Sequence, residues 1–108
     1  MQNFYSIYSH GFARTAACTL PAALGDPRKN ARRTAELARE CAEKGAAVAV
    51  FPELGLTGYS IEDLLLQDVL LDATLEALED LRTASVAIAS VIVVGAPPVH
   101  RGRVFNCA

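Results

Sequence analysis

Apolar residues in this chain alternate between short unbroken runs and a helical spacing. Residues 12–20, FARTAACTL, are nearly continuous in small apolar side chains and read as a first strand. Gly25, Asp26 and Pro27 then mark a helix start. Asp at the cap position can accept from the free backbone N–H groups of the first turn, and Pro at the first helical position loses nothing by lacking its own. The spacing predicts a helix to about Lys44, with Ala31, Ala35, Ala38, Cys41 and Ala42 on one face. The opposite face carries Arg32 and Glu36, Arg39 and Glu43, and Glu40 and Lys44, each pair four apart, as a solvated surface does. Gly45 supplies the stop.

Residues 46–51 are apolar on both faces, which predicts a strand covered on both sides in a mostly parallel sheet. Beyond the ELGLTGY loop, Ser60 and Asp63 form the acidic variant of a capping box and open a helical pattern that runs to about Ala89. That is long for one globular helix, so a break is expected near Gln67 and Asp68. Leu71, Leu75, Leu78 and Leu81 are the predicted buried stripe of the second piece. Residues 91–94, VIVV, are β-branched throughout and predict a third strand. The last ten residues, VHRGRVFNCA, predict two short strands with a turn at Arg101 and Gly102.

Strand, helix, strand, helix, strand and hairpin together mean an α/β layered domain with a parallel core. The final strand pattern stops at Ala108 with no cap or closing helix, so the chain reads as the N-terminal part of a larger protein. Residues 1–11 form an arm and residues 12–108 an incomplete domain.

Composition acts mainly by exclusion. With 108 residues, 52% of them hydrophobic, the chain is expected to bury a core rather than stay disordered. A net charge of −2, with acids and bases interspersed, points to neither nucleic acid nor an anionic membrane surface as partner. No apolar run approaches the roughly 18 residues of a membrane span. MQNFYSIYSHGF lacks a basic segment followed by an apolar one, so a cytoplasmic location is expected. Cys18, Cys41 and Cys107 are far apart in apolar surroundings and are expected to be reduced core residues. His10 and His100 are isolated, and no metal site is expected.

Chemistry enters at residues 46–60, AAVAVFPELGLTGYS, where an apolar strand ends in proline and then a carboxylate, Glu53. Ligands gather at the carboxyl ends of strands in parallel sheets. Pro52 makes a stiff base for Glu53, and Gly55 and Gly58 allow a tight turn around it. A carboxylate in an apolar setting can serve as a general base near neutral pH. It could equally cap a nearby helix or pair with an arginine. GLTG is too short for a phosphate loop.

FPELGLTGYS resembles the first catalytic motif of the nitrilase superfamily, carbon–nitrogen hydrolases built around a Glu–Lys–Cys triad. NFYSIYSHGFARTAACT, GDP followed by NA, YSIEDLLLQDVLLD and VVGAP together resemble the opening of the bacterial glutamine-dependent NAD⁺ synthetase family, actinobacterial type, over essentially the whole chain. That resemblance implies the N-terminal part of a nitrilase-like α-β-β-α sandwich working as a glutaminase. It implies Glu53 as general base for a cysteine thiol, which attacks the glutamine side-chain amide while a lysine stabilises the oxyanion. Ammonia would pass to a synthetase domain that uses ATP and Mg²⁺ to amidate deamido-NAD⁺, in a homo-oligomer. No cofactor is implied for this segment itself. The implied lysine and nucleophilic cysteine lie beyond Ala108, since Lys29, Lys44, Cys18, Cys41 and Cys107 match neither motif. The segment alone is therefore expected to be inactive.

Tyr59 is a candidate for the substrate pocket, against the plainer role of a partly buried anchor for its loop. Phe4, Tyr5 and Tyr8 give the arm apolar anchors for the domain or a neighbouring subunit. A stand-alone amidase or carbamoylase, and a non-catalytic assembly domain, are the competing expectations.

Overall fold

The computed structural model describes residues 3–108. Three short strands, β1 (Thr15–Ala17), β2 (Val48–Val50) and β3 (Val91–Val93), form a parallel sheet in the order β1-β2-β3. Helices α1 (Pro27–Glu43) and α2 (Asp68–Ser85) make the two crossovers and pack against each other. Successive crossovers of one hand place both helices on the same face of the sheet. The hairpin of β4 (Val99–His100) and β5 (Arg103–Val104) follows, with Arg101 and Gly102 both left-handed at its turn.

The strands are shorter than the apolar runs that predict them. Beyond each end of the β1–β2 ladder pairing continues as a single bond, from Ala47 N–H to the Arg14 carbonyl (2.7 Å) and from Cys18 N–H to the Val50 carbonyl (2.8 Å). Register decides what is buried. Ala16, Ala49 and Ile92 align across the sheet and face the helices, with Ala49 completely enclosed. Their neighbours align in the rows Thr15, Val48, Val91 and Ala17, Val50, Val93. Val50 and Val91 are exposed, so the expected cover on both faces is corrected to cover on one. Both crossovers fall on the helix side, and among the described residues no element returns over the other.

Helix α1 begins as its sequence predicts. Asp26 accepts from the Lys29 N–H at 3.1 Å, and Pro27 is the first helical residue. Asp26→Ala is expected to lower stability by about 1 kcal/mol, read as a lower urea midpoint with an unchanged slope. Ala31, Ala35 and Ala38 are buried, and Cys41 and Ala42 half-buried. The charged pairs four apart do not close; among the described residues the ion pairs are Arg28 with Glu76 (3.8 Å) and Arg82 with Glu79, all exposed. Isolated pairs in water gain too little to order two long side chains. At the far end Gly45 turns left-handed (φ 81°). The Arg14 guanidinium donates to the Lys44 carbonyl and the Tyr8 hydroxyl to that of Gly45, which ties the arm to the helix. Phe4 and Tyr5 stay exposed.

The break before α2 is where it is expected. Residues Glu62–Leu66 form a 3-10 turn, and Gln67 is extended before Asp68 starts the helix. The Ser60–Asp63 capping box does not form: Ile61 precedes the turn and makes no side-chain cap. Glu62 adopts a left-handed φ of 46°, which breaks the helical path such a box needs. The leucine stripe is also rotated. Leu70, Leu71, Thr74, Ala77 and Leu81 are buried, Leu78 is half-buried, and Leu75 is 51% exposed. Contact with α1 selects the small residue Ala77 for the close approach and leaves Leu75 on the rim of an open apolar hollow with Leu78 and Ile92.

Two clusters make the core: Ala31, Ala35, Leu56, Ala77, Leu81 and Ala96 between the helices, and Cys18, Ala38, Ala49, Phe51 and Ile88 over the sheet. The Cys18 and Cys41 sulfurs lie 3.6 Å apart. Burial, and then the Cys41 thiol beside it, pushes the Cys18 thiol up to about 11, so it stays protonated and inert at neutral pH. Cys107 is exposed, contrary to its expected core placement, because among the described residues no element packs over the end of the hairpin. Among the described residues no helix is long and apolar enough to cross a membrane.

Candidate functional site

At the carboxyl end of β2 the chain keeps one more tie to the sheet, from Phe51 N–H to the Val93 carbonyl at 2.9 Å, with the Phe51 ring buried. Pro52 then turns the backbone away. The turn closes on itself: Gly55 N–H reaches the Pro52 carbonyl at 3.0 Å, and the N–H groups of Thr57 and Gly58 converge on the Leu54 carbonyl at 3.1 and 2.8 Å. Leu54, Leu56 and Thr57 are buried beneath the loop while Glu53 stands outside it. Leu54 is left-handed (φ 52°), a conformation that costs a leucine roughly 1–2 kcal/mol and persists here with its side chain fixed in the core.

Two residues from other elements hold this loop. Asn30 on α1 is almost completely buried; it accepts from Ala23 N–H (2.8 Å) and donates to the carbonyls of Ala23 (2.8 Å) and Leu56 (3.0 Å). The loop before α1 is thereby stitched to the loop after β2. Gly95, just past β3, accepts from Leu56 N–H at 3.2 Å. A Cβ at Gly95 would lie 2.4 Å from the Leu54 nitrogen and 2.7 Å from the Pro52 oxygen, so the two backbones touch at a place where only glycine fits.

Glu53 borders two cavities. One, about 130 Å³, is lined by Leu20, Asn30, Thr34, Gly58 and Tyr59. The other, about 340 Å³, opens toward the hairpin and is lined by Val50, Val93, Asn106 and Cys107. The Asn106 carboxamide donates to Glu53 Oε1. Glu53 is exposed rather than enclosed in an apolar setting, which corrects that expectation: among the described residues nothing covers this end of the sheet. It neither caps a helix nor pairs with an arginine there; its side-chain partner is Asn106.

Tyr59 shares the smaller cavity with Glu53 and is 69% exposed, so it does not anchor its loop from within. Lys29 lies in the first turn of α1 and Lys44 just beyond its end, while Cys18 and Cys41 are tied to the core. Cys107 alone of the cysteines lines a cavity shared with Glu53. Sequence reasoning passes over Asn106, Gly95 and Asn30. The glycine that directly follows a β-branched strand is a usable sign of close backbone approach. Asn106 offers none, since its partner is 53 residues away. The assembled site holds one carboxylate on a stiff loop, able to accept a proton from a group presented to either cavity.

A model of the carbon–nitrogen hydrolase family matches residues 14–108. The chain is 58% identical over 106 residues to the glutamine-dependent NAD⁺ synthetase of Mycobacterium bovis, an alignment that covers 98% of this chain and 16% of that protein. It thus spans about a sixth of the length of that relative. In fold it resembles the crystal structure of a glutamine-dependent NAD⁺ synthetase from Cytophaga hutchinsonii (TM-score 0.79, 22% identity, 88% of this chain and 16% of that one). It also resembles an amidase from Nesterenkonia sp. (TM-score 0.68, 23% identity, 87% of this chain and 36% of that one). The three-stranded parallel sheet with its helices is accordingly part of a nitrilase-like α/β fold. A carboxylate at a strand end, carried by a loop that Asn30 and Gly95 hold, and a family match over nearly the whole sequence converge on one conclusion: the chain belongs to the carbon–nitrogen hydrolase family.

Proposed function

We propose that the chain is the opening part of the glutaminase domain of a longer glutamine-dependent NAD⁺ synthetase, with Glu53 as the general base. The observation that carries the reading is the exposed carboxylate of Glu53, held on a rigid loop at the carboxyl end of β2 beside two cavities. The identity with the mycobacterial protein supports the choice of glutamine as substrate. Glu53 takes the proton of a cysteine thiol, the thiolate attacks the glutamine side-chain amide, ammonia leaves, and water hydrolyses the thioester. The cysteine and the lysine that stabilises the oxyanion come from residues outside this chain, as does the ATP- and Mg²⁺-dependent amidation of deamido-NAD⁺. Tyr59, across the smaller cavity, helps shape the glutamine site. The open valine rows of the sheet accept a second sheet, completing an α-β-β-α sandwich. Exposed Phe4 and Tyr5 support a homo-oligomeric assembly.

The test uses the complete protein and glutamine labelled with ¹⁵N at its side-chain amide. Labelled NAD⁺ and unlabelled glutamate are expected in equal amounts, with ATP and deamido-NAD⁺ consumed. Glutamate with no NAD⁺ would point instead to a stand-alone amidase, and no glutamate at all to a non-catalytic domain.

A further inference from the structure

A general base must meet its proton in one geometry, and a misplacement of about 1 Å can cost a hundredfold in rate. Within this segment Glu53 is poorly equipped for that alone: its side chain turns about several bonds, however stiff the loop beneath it, and no described residue encloses it. Loop packing fixes its Cα; something else must fix its carboxylate. Among the described residues the side chain bonded to that carboxylate is Asn106, through its Nδ2–H to Oε1.

Asn106 is itself on a fixed mount. Its neighbour Cys107 exchanges both backbone bonds with Ala96, at 3.0 and 2.9 Å, and Phe105 N–H donates to the Pro98 carbonyl at 2.9 Å. Ala96 follows Gly95, whose backbone touches Pro52 and Leu54 on either side of Glu53. Base and partner are therefore gripped by the same two consecutive residues of the strand-end loop. Their separation is set by backbone contacts rather than by side-chain reach.

The chemistry of the pair is selective. A bond from a neutral amide to a carboxylate is charge-assisted and directional. It occupies Oε1 and leaves Oε2 without a side-chain partner among the described residues, so one oxygen is oriented while the other can accept a proton. A lysine in place of Asn106 would add a charge that opposes protonation of Glu53, and an aspartate would remove the donor and set two anions together. We infer that Asn106 is a positioning residue for Glu53, its carboxamide holding the carboxylate in the orientation from which it takes up a proton. The inference rests on Glu53 being the general base.

The experiment is a double-mutant cycle in the complete enzyme, with glutamine-dependent and ammonia-dependent NAD⁺ formation both measured. Asn106→Ala is expected to lower kcat for glutamine by roughly ten- to a hundredfold, with KM within about threefold, while ammonia-dependent synthesis stays at the parental rate and an unchanged urea midpoint certifies the fold. Asn106→Asp, equal in shape but lacking the donor, is expected to lose at least as much. In a Glu53→Gln background Asn106→Ala is expected to cost less than about twofold, because the group it positions no longer takes a proton. Parental activity in Asn106→Asp, a change in KM alone, or the same loss in both backgrounds would overturn the positioning role. If Glu53→Gln itself leaves glutamine hydrolysis intact, the general base has been misassigned and both ideas go. Should Glu53→Gln fall below detection, the kcat and KM of the two single Asn106 variants decide.

Discussion

Glu53→Gln in the complete enzyme is expected to slow glutamine hydrolysis by about 10²–10⁴-fold while NAD⁺ formation from added ammonia continues, a gap between two assays of one preparation. Glutamine keeps the length and planarity of the side chain, and its carbonyl oxygen can still accept from Asn106. What it loses is the ability to take up a proton, so the substitution isolates base function from packing. Because the swap keeps the size of the side chain and its bond to Asn106, stability should move by no more than about 1 kcal/mol. An equal fall in both assays would assign Glu53 a folding role.

Gly95→Ala is expected to be the most damaging substitution of a single methyl group in the chain. The added carbon would meet main chain on more than one side, at the Leu54 nitrogen (2.4 Å), the Pro52 oxygen (2.7 Å) and the Glu53 carbonyl carbon (3.0 Å). No rotamer change relieves a clash with backbone, so one of the two segments must shift. Either movement stretches the bond from Leu56 N–H to the Gly95 carbonyl and displaces Glu53 from Asn106. Overpacking of this kind costs about 1–3 kcal/mol, visible as a lower urea midpoint. Glutamine-dependent activity should fall on the order of a hundredfold if Glu53 moves by about 1 Å, with ammonia-dependent activity much less affected. Unchanged stability and rate would mean that the contact between the two loops is not tight in solution.

Both predictions depend on residues that differ in how visible they are beforehand. Glu53 stands out in its own ten-residue neighbourhood, since an apolar strand, a proline and a charged group in sequence need an explanation. Asn106 has no such context. FNCA reads as the end of a hairpin, and only the pairing of Cys107 with Ala96 brings its amide to a carboxylate 53 positions earlier. Family resemblance reaches the motif and the substrate class it implies, but it says nothing about which side chain bonds Glu53.

Whatever is settled within one turn of backbone was legible before any fold was known. The start of α1 at Asp26 and Pro27, its stop at Gly45, the break at Gln67, the hairpin turn at Arg101 and Gly102, and Glu53 at the end of a strand all follow from local torsions, caps and periodicity. Tertiary structure alone decided which surfaces meet. Among the described residues it put cover on one sheet face, rotated the α2 stripe away from Leu75, put Glu62 in a left-handed turn where a capping box was expected, and set Gly95 and Asn106 around Glu53. The reason is geometric: hydrophobic periodicity tells a segment which side to bury, whereas the neighbour it is buried against comes from contacts tens of residues away that no local pattern encodes.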